Sequence, residues 1–309
     1  MLIFIKEIFR YDIVKNYKTT GYICSISAAV SYGTNPLFAL PMYNSGFGVN
    51  SVLFYRYFFA VIIYGCWLKL YKKISLKISF KEFLVLFCFG IIFSLSSIFL
   101  FEAFQYIDSG LACTILFVYP LLVALLSGFI FKEHIPFSIW IALILSLSGI
   151  YLLYYGSPDE SSINLKGIIL SLLSGLAYAI YIVGVRHVKI LKNIKPDKLT
   201  FYVMLFGLIV YIWNLKFCID LQPLNSWLVL ACAVMLALFP TIISLETITF
   251  GIKLIGATKT AIIGALEPLT ALCIGVLLFN ETINFKIAVG LLLILSGVMV
   301  VIMHKKKFA

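Results

Sequence analysis

The chain contains an internal repeat: residues 120–150 align without a gap against residues 268–298 and match at 12 of 31 positions. Most of these matches are Leu, Ile or Phe, which recur in any apolar sequence and mean little by themselves. The informative matches are Pro120 with Pro268, Glu133 with Glu281, and Ser148 and Gly149 with Ser296 and Gly297. A weaker match aligns Gly21, Ser25 and Tyr32 with Gly167, Ser171 and Tyr178. The repeat predicts a chain built from two related halves.

The composition predicts an integral membrane protein. Of the 309 residues, 62% are hydrophobic and 12% are charged, and the mean hydropathy is +1.08. That leaves too little polar surface to cover a water-soluble globule of this size. The net charge of +11 would suit nucleic acid, but the basic residues lie in short connectors between apolar runs, so we predict no nucleic-acid partner. The seven cysteines and three histidines show no spacing typical of a metal site, and we predict neither a metal nor a cofactor.

Ten apolar windows of about twenty residues are long enough to cross a bilayer as helices. They lie near 21–43, 50–68, 83–104, 109–131, 135–155, 167–185, 199–215, 226–249, 256–279 and 286–303. The predicted fold class is therefore an all-α integral membrane protein with ten transmembrane helices in two five-helix repeats. The predicted segments are an N-terminal stretch 1–20, a first repeat 21–155, a linker 156–166, a second repeat 167–303 and a basic tail 304–309.

Lysine and arginine predict the orientation, because cytoplasmic loops retain these residues. If the N-terminus is inside, the cytoplasmic side collects 19 of the 24 basic residues and the opposite side collects three. Both termini and the basic tail are therefore expected in the cytoplasm, and the linker outside, for a protein of the inner membrane. Because each half has an odd number of spans, the second repeat must be inverted relative to the first. Inverted repeats of this kind are typical of alternating-access transporters.

Ionisable residues inside the predicted spans are candidates for function. A charge within the bilayer is energetically costly, so such residues are usually retained where they have a functional role. They are Arg56, Glu102, Glu246, Lys259 and Glu267. Glu267 lies close to the middle of its span and is the first candidate for binding a substrate amine or a proton; the alternative is a structural partner for Arg56 or Lys259. Arg56 suits either a structural ion pair or an anionic substrate. Glu102 lies near the outer end of its span, whereas Glu246 and Lys259 lie toward cytoplasmic ends and either pair there or extend toward water.

Prolines predict breaks in the spans, because each removes a backbone donor and leaves carbonyls free to line a cavity. Asn35 and Pro36 interrupt the first span, and Pro120 and Pro268 occupy equivalent positions in the two halves. Tyrosines in the first and sixth spans supply further hydroxyl groups and rings. The candidate substrate- or ion-binding residues are therefore Glu267, Arg56, Asn35, Tyr32, Tyr178, Tyr181 and Glu102, and the candidate hinges are Pro36, Pro120 and Pro268.

Four segments together resemble the drug/metabolite transporter superfamily, in its EamA-type branch, and the resemblance covers nearly the whole chain. They are Tyr32-Gly33-Thr34-Asn35, Arg56-Tyr57-Phe58-Phe59-Ala60, the block from Tyr119-Pro120 to Phe131-Lys132-Glu133, and the block from Glu267-Pro268 to Phe279-Asn280-Glu281. The resemblance implies a ring of helices around a central cavity that opens to either side in turn. It also implies transport of amino acids, nucleotide-like metabolites or drugs, driven by exchange or by protons.

These observations predict a secondary transporter, and not an enzyme, that moves a small polar or amphipathic metabolite such as an amino acid. Export is favoured by the resemblance alone. The alternatives are a carrier that expels drugs or organic cations, since Glu267 among aromatic residues would suit a cation, and an importer of nutrients. The expected partners are the small-molecule substrate, protons or a counter-substrate, and membrane lipids.

Overall fold

The computed structural model describes residues 17–107, 109–155, 164–279 and 285–303. These residues form helices and contain no strand, which confirms the predicted all-helical fold. Four features discussed above lie wholly or mainly outside the described residues: the N-terminal stretch as far as residue 16, the linker over 156–163, Glu281 and the tail 304–309.

Fifteen α-helices lie within the described residues. They are α1 Tyr17–Gly33, α2 Asn35–Asn44, α3 Val49–Cys66, α4 Phe80–Ala103, α5 Ser109–Leu116, α6 Tyr119–Phe129, α7 Phe137–Tyr155, α8 Leu165–His187, α9 Lys189–Asn193, α10 Pro196–Asn214, α11 Trp227–Ala237, α12 Ser244–Ile255, α13 Ala257–Ile263, α14 Leu266–Phe279 and α15 Phe285–Met303. Two π-helical segments, Trp67–Tyr71 after α3 and Leu238–Ile243 between α11 and α12, continue their helices without a gap.

The described residues include six helical segments that are long and apolar enough to cross a membrane. They are Tyr17–Asn44, Val49–Tyr71, Phe80–Ala103, Leu165–His187, Pro196–Asn214 and Trp227–Ile255. Shorter apolar helices occupy Tyr119–Phe129, Phe137–Leu152 and Leu292–Val301. The chain is therefore a multi-pass membrane protein.

Polar residues set the beginnings of several of these helices. Ser79 and Glu82 form a capping box at the start of α4, in which the Ser79 side chain accepts from the Glu82 amide and the Glu82 carboxylate accepts from the Ser79 amide. Asn164 and Ser226 accept from amides in the first turns of α8 and α11. Each bond satisfies an amide that has no partner inside the helix. The caps therefore fix where these three apolar segments begin.

Prolines mark the irregular places within the apolar segments. Pro36, Pro120 and Pro268 each lie within the first three residues of a helix, α2, α6 and α14 respectively. A proline is tolerated there because the first turn needs no intrahelical amide bond. Pro240 lies inside the π-helical segment Leu238–Ile243 instead. At Pro240 the irregular backbone leaves a carbonyl that accepts from the Arg56 side chain.

The two halves contact each other in a two-fold pattern. The pairs α7 with α15 and α3 with α10 each join equivalent helices of the two halves, and α6 of the fourth predicted span contacts α13 of the ninth. Other contacts come in matched sets: α4 packs on α8 as α12 packs on α1, and α6 packs on α8 as α14 packs on α1. The helix breaks before α6 and α14 are therefore both located at the contact between the halves.

Candidate functional site

The candidate site is built around Arg56, a residue of α3 that is 0% exposed. Its Nε donates to Thr241 Oγ1 at 2.6 Å, and its Nη2 donates to the Pro240 carbonyl at 2.9 Å. Both acceptors belong to the π-helical segment Leu238–Ile243. A π-helical turn shifts the backbone hydrogen-bond register, so carbonyls there are available to side chains. The two bonds fix the orientation of the guanidinium.

Aromatic rings surround the same guanidinium. Its carbon Cζ lies 5.7 Å from the ring centre of Tyr32, 5.8 Å from that of Tyr57 and 6.0 Å from that of Phe101. Rings at such distances stabilise a cation through their negative faces. The remaining nitrogen, Nη1, is buried and has no hydrogen-bond partner among the described residues. Arg56 therefore presents one charged donor that is free to bind an acceptor.

Glu267, which is 8% exposed, lies where the end of α1 contacts the start of α14. A Cβ atom added to Gly33 would lie 2.5 Å from the Glu267 carbonyl oxygen, so only a glycine allows this approach. The break after α1 and the break before α14 are consequently side by side. Tyr32, adjacent to Gly33, is close enough to interact electrostatically with both Arg56 and Glu267.

Tyr119 faces Glu267 from the first half of the chain. Its hydroxyl lies directly against Gly264 and close enough to the Glu267 carboxyl group to interact with it, although it forms no hydrogen bond of normal geometry with any described residue. Its ring packs edge-to-face on Tyr178 at 4.8 Å between centres. Tyr178 also interacts electrostatically with Glu267. Four of the predicted residues, Arg56, Tyr32, Tyr178 and Glu267, thus lie close together. Tyr119 lies between Tyr178 and Glu267.

The other predicted residues border this group. Tyr181 is fully buried and packs on Phe93, which also contacts the Tyr178 ring. Asn35 is buried at the start of α2, and its Oδ1 has no partner among the described residues. Glu102, partly exposed near the end of α4, follows Phe101 directly. Glu102 therefore lies at the edge of the site, next to a ring that contacts Arg56.

The predicted structural pairing of Arg56 or Glu267 requires a salt bridge. Neither residue forms one with any residue that the structure describes. Arg56 is held by uncharged oxygens, and Lys259, the other partner suggested for Glu267, has its Nζ 3.5 Å from the Tyr22 hydroxyl. The site therefore contains a buried cation and a buried carboxylate, near the same tyrosine, without an ion pair between them.

Glu246, a further ionisable residue predicted inside a span, has a partner from another helix. Its carboxylate oxygen Oε1 lies 3.2 Å from Lys72 Nζ, which also contacts Asp197 Oδ1 at 2.5 Å. The sequence predicts that the Glu246 side chain either pairs with Lys259 or extends toward water. Instead Glu246 is buried in a cluster with Lys72 and Asp197, and this cluster joins the end of the helical segment that continues α3 to the first turns of α10 and α12.

Two features of the site escaped sequence reasoning. Tyr119 is equivalent to Glu267 in the repeat alignment, since each directly precedes the matched proline. The alignment could therefore have identified Tyr119 as a residue of the site. The acceptors from Pro240 and Thr241 had no such signal, because nothing in an apolar run with one proline predicts a π-helical segment.

Comparison with known proteins agrees with this architecture. The model of the EamA-like transporter family matches residues 19–155 and 165–303, which together make up most of the chain. An uncharacterized transporter of Archaeoglobus fulgidus is 28% identical over 198 residues, which is 64% of this chain and 68% of that protein. An uncharacterized transporter of Synechocystis is 28% identical over 200 residues, which is 64% of this chain and 60% of that protein. The resemblance inferred from the sequence motifs is thereby confirmed.

A solved crystal structure shares the fold. It superimposes with a TM-score of 0.76, covering 92% of this chain and 96% of that chain, at 16% sequence identity. At that identity the likeness concerns the fold alone. The arrangement of helices around the site is therefore one that an experimentally determined protein also adopts.

Proposed function

Since this chain belongs to the EamA-like transporter family, we propose that it is a secondary transporter of a small polar metabolite that carries both a negative and a positive group. The observation that carries this proposal is the pair of buried ionisable groups, the Arg56 guanidinium and the Glu267 carboxyl group, neither of which has an ion-pair partner among the described residues. A substrate carboxylate would accept from Arg56 Nη1, and a substrate ammonium would bind Glu267. An amino acid has this chemistry.

The rings of Tyr32, Tyr57 and Phe101 add to this selectivity. They supply an apolar, polarisable wall around Arg56, against which a substrate side chain can pack. Small-molecule sites commonly combine such walls with a few polar groups that fix orientation. A substrate with a small or aromatic side chain suits this wall better than a strongly charged one.

A carrier for drugs or organic cations is the weaker candidate. A ligand with only a positive charge would gain from Glu267 but would enter a site whose guanidinium is buried and fixed beside Tyr32. Like charges at short range in a medium of low dielectric repel strongly. A zwitterion would be attracted by both Arg56 and Glu267, whereas an organic cation would be attracted by Glu267 and repelled by Arg56.

The same proposal includes ten spans in two inverted repeats, with segments as predicted from the sequence and both termini in the cytoplasm. The two-fold pattern of helix contacts supports the repeats, and the distribution of basic residues supports the orientation. Rocking of the halves about Arg56 and Glu267 would expose the site to either side of the inner membrane in turn. Export is the direction favoured by family likeness.

Metabolite profiling of expressing cells and their medium tests the proposal. We expect a zwitterionic compound to accumulate outside cells that express the wild-type protein and not outside cells that express Glu267→Gln. Asp220→Asn is the matched control, since Asp220 is a surface carboxylate paired with Lys216 and its loss should leave export unchanged. Equal membrane levels of the three proteins are checked by immunoblot. Export by Glu267→Gln at the wild-type rate and with the same pH profile would contradict the proposed role of Glu267.

A further inference from the structure

A second group of charges lies away from Arg56 and Glu267. Lys72 Nζ contacts Asp197 Oδ1 at 2.5 Å and Glu246 Oε1 at 3.2 Å, so one ammonium serves two carboxylates. Lys72 follows the π-helical segment Trp67–Tyr71, and Asp197 lies in the first turn of α10. We refer to Lys72, Asp197 and Glu246 as the charge cluster.

The charge cluster is not balanced. Its side chains are 29% exposed for Lys72, 13% for Asp197 and 3% for Glu246, so the carboxylates have little contact with water. With all three groups ionised, the cluster holds one negative charge in excess. An unbalanced charge at a buried position is unfavourable, and a single additional positive charge would remove the imbalance. A proton is the smallest ligand that supplies it.

Tyr64 provides a separate indication that something binds here. It is 1% exposed, and its hydroxyl forms no hydrogen bond of normal geometry with any described residue. The hydroxyl lies beside the charge cluster, close enough to Glu246 and Asp197 to interact with both. A buried hydroxyl normally has a partner. Beside a protonated carboxyl group, the Tyr64 oxygen becomes an acceptor for the new O–H donor.

The remaining titratable and charged groups around α12 do not supply the missing positive charge by a contact with Glu246. Cys24 of α1 lies near Glu246 but is neutral as a thiol. Arg186 of α8 donates to the Lys253 carbonyl, and Lys253 Nζ donates to carbonyls at the end of α9. Lys259 of α13 contacts the Tyr22 hydroxyl. Lys72 is therefore the only cation whose contact with Glu246 is seen in the described part of the chain.

We propose that Glu246 and Asp197 together bind one proton, and that this charge cluster is the ion-coupling site of the transporter, distinct from the site at Arg56 and Glu267. The term coupling rests on the proposed transport function; proton binding does not. Lys72 reaches water through its exposed fraction, so the proton enters from the membrane side that carries the basic segment 69–82. Binding weakens the hold of the carboxylates on Lys72.

The helices that carry the charge cluster also hold Arg56. Thr241, which accepts from Arg56, precedes Glu246 by about one and a half helical turns. Arg56 and Lys72 in turn belong to one continuous helical segment, Val49–Tyr71 and the residue after it. The helical segment that ends at Lys72 and the segment Trp227–Ile255 are therefore joined twice, once by Arg56 and Thr241 and once by Lys72 and Glu246. Release of Lys72 on protonation would loosen one junction while the other remains, which allows a rocking motion about Arg56.

Infrared spectroscopy tests proton binding on the purified full-length protein in lipid nanodiscs, without any transport substrate. Acidification from about pH 9 to about pH 5 spans the range in which a shared carboxylate proton should bind. We expect the carbonyl band of a protonated carboxylic acid to appear on acidification. Because Glu267 is a second buried carboxyl group that can give such a band, the comparison is made in the Glu267→Gln background, where the band should remain and should disappear when Glu246→Gln is added. It should also disappear in Asp197→Asn, because either amide leaves one carboxylate balanced by Lys72.

Fluorescence of Trp67 provides a second measurement that needs no change in the charge cluster. Lys72 Nζ lies 4.0 Å from the centre of the Trp67 ring, so movement of the ammonium alters the emission. A protein with Trp67 as its single tryptophan is obtained with Trp140→Phe, Trp213→Phe and Trp227→Phe. We expect its emission to follow the same pH dependence as the infrared band, and sodium at constant pH to have no effect.

Three outcomes would overturn the proposal. One is an acid-induced band that, in the Glu267→Gln background, survives both Glu246→Gln and Asp197→Asn. Another is the absence of any acid-induced band together with emission that does not change with pH. The third is a Trp67 response to sodium in place of protons, which would make the charge cluster a sodium site. A protein that passes these tests but exports no metabolite would contradict the proposed function and leave the proton site standing.

Discussion

Replacing Thr241 by valine should destabilise the protein through Arg56. Valine has nearly the shape of threonine but no hydroxyl, so Arg56 Nε loses its acceptor at 2.6 Å and the Leu236 carbonyl loses a donor at 2.7 Å. Because Arg56 is 0% exposed, water cannot replace the lost acceptor. One charged nitrogen would then be buried without a partner, in addition to Nη1.

The expected loss follows from these two bonds. A hydrogen bond to a charged group contributes about 1.5–3 kcal/mol and a neutral one about 0.5–1.5 kcal/mol. Some of this is recovered by local rearrangement, so we expect Thr241→Val to lower the free energy of unfolding by about 2–3 kcal/mol. The matched control is Thr241→Ser, which keeps the hydroxyl and removes one methyl group, at about 0.8 kcal/mol. The difference between the variants isolates the hydroxyl.

Equilibrium unfolding in mixed micelles, followed by far-ultraviolet circular dichroism, measures this difference. Increasing fractions of a denaturing detergent unfold the helices, and the midpoints of wild type, Thr241→Val and Thr241→Ser are compared at equal protein concentration. We expect the order wild type, serine variant, valine variant, from most to least stable. If valine and serine give the same midpoint, the bond to Arg56 does not stabilise the protein and the reasoning is refuted.

Two further predictions concern the contact between the broken helices. Gly33→Ala should lower the free energy of unfolding by about 1–3 kcal/mol and abolish export, because the added Cβ would lie 2.5 Å from the Glu267 carbonyl oxygen. Thermal unfolding measures the loss of stability. Gly48→Ala is the control that should be tolerated, since the atom nearest to its added Cβ lies 3.6 Å away. Tyr119→Phe should leave stability unchanged or slightly raised, because it removes a buried hydroxyl without a partner, yet lower export several-fold if that hydroxyl contacts substrate. Normal export by Tyr119→Phe would exclude such a contact.

The helical framework could be predicted because it depends on local sequence. Apolar windows gave segments near 21–43, 83–104 and 167–185, and the structure has helical segments at 17–44, 80–103 and 165–187. The differences lie at helix ends, where a cap decides the first residue. The capping box of Ser79 and Glu82, which the apolar windows do not take into account, explains why α4 begins before the predicted window does. Helix breaks at prolines were likewise indicated by the sequence.

The partners of the buried charges could not be predicted in the same way. Arg56 and Glu267 stand out in any apolar run, because a charge there is costly unless it is used. Whether they bind each other depends on the distance between α3 and α14, which no local pattern records. Lys72 shows the same difficulty, because it belongs to a basic connector by sequence but reaches Glu246 across a tertiary contact. Local patterns therefore identify the charged residues, and the fold decides their partners.

The unpaired polar groups are the strongest argument that Arg56 and Glu267 form a binding site and not a structural feature. Arg56 Nη1, Asn35 Oδ1 and the Tyr119 hydroxyl are buried without partners among the described residues, and each such group typically costs about 1–3 kcal/mol. A fold selected only for stability would place apolar residues there or pair the charges, and buried ion pairs are themselves often no better than apolar replacements. Keeping these three polar groups is reasonable if a ligand supplies their partners. A zwitterion does so with one carboxylate and one ammonium, so the groups that reduce stability are those that recognise the substrate.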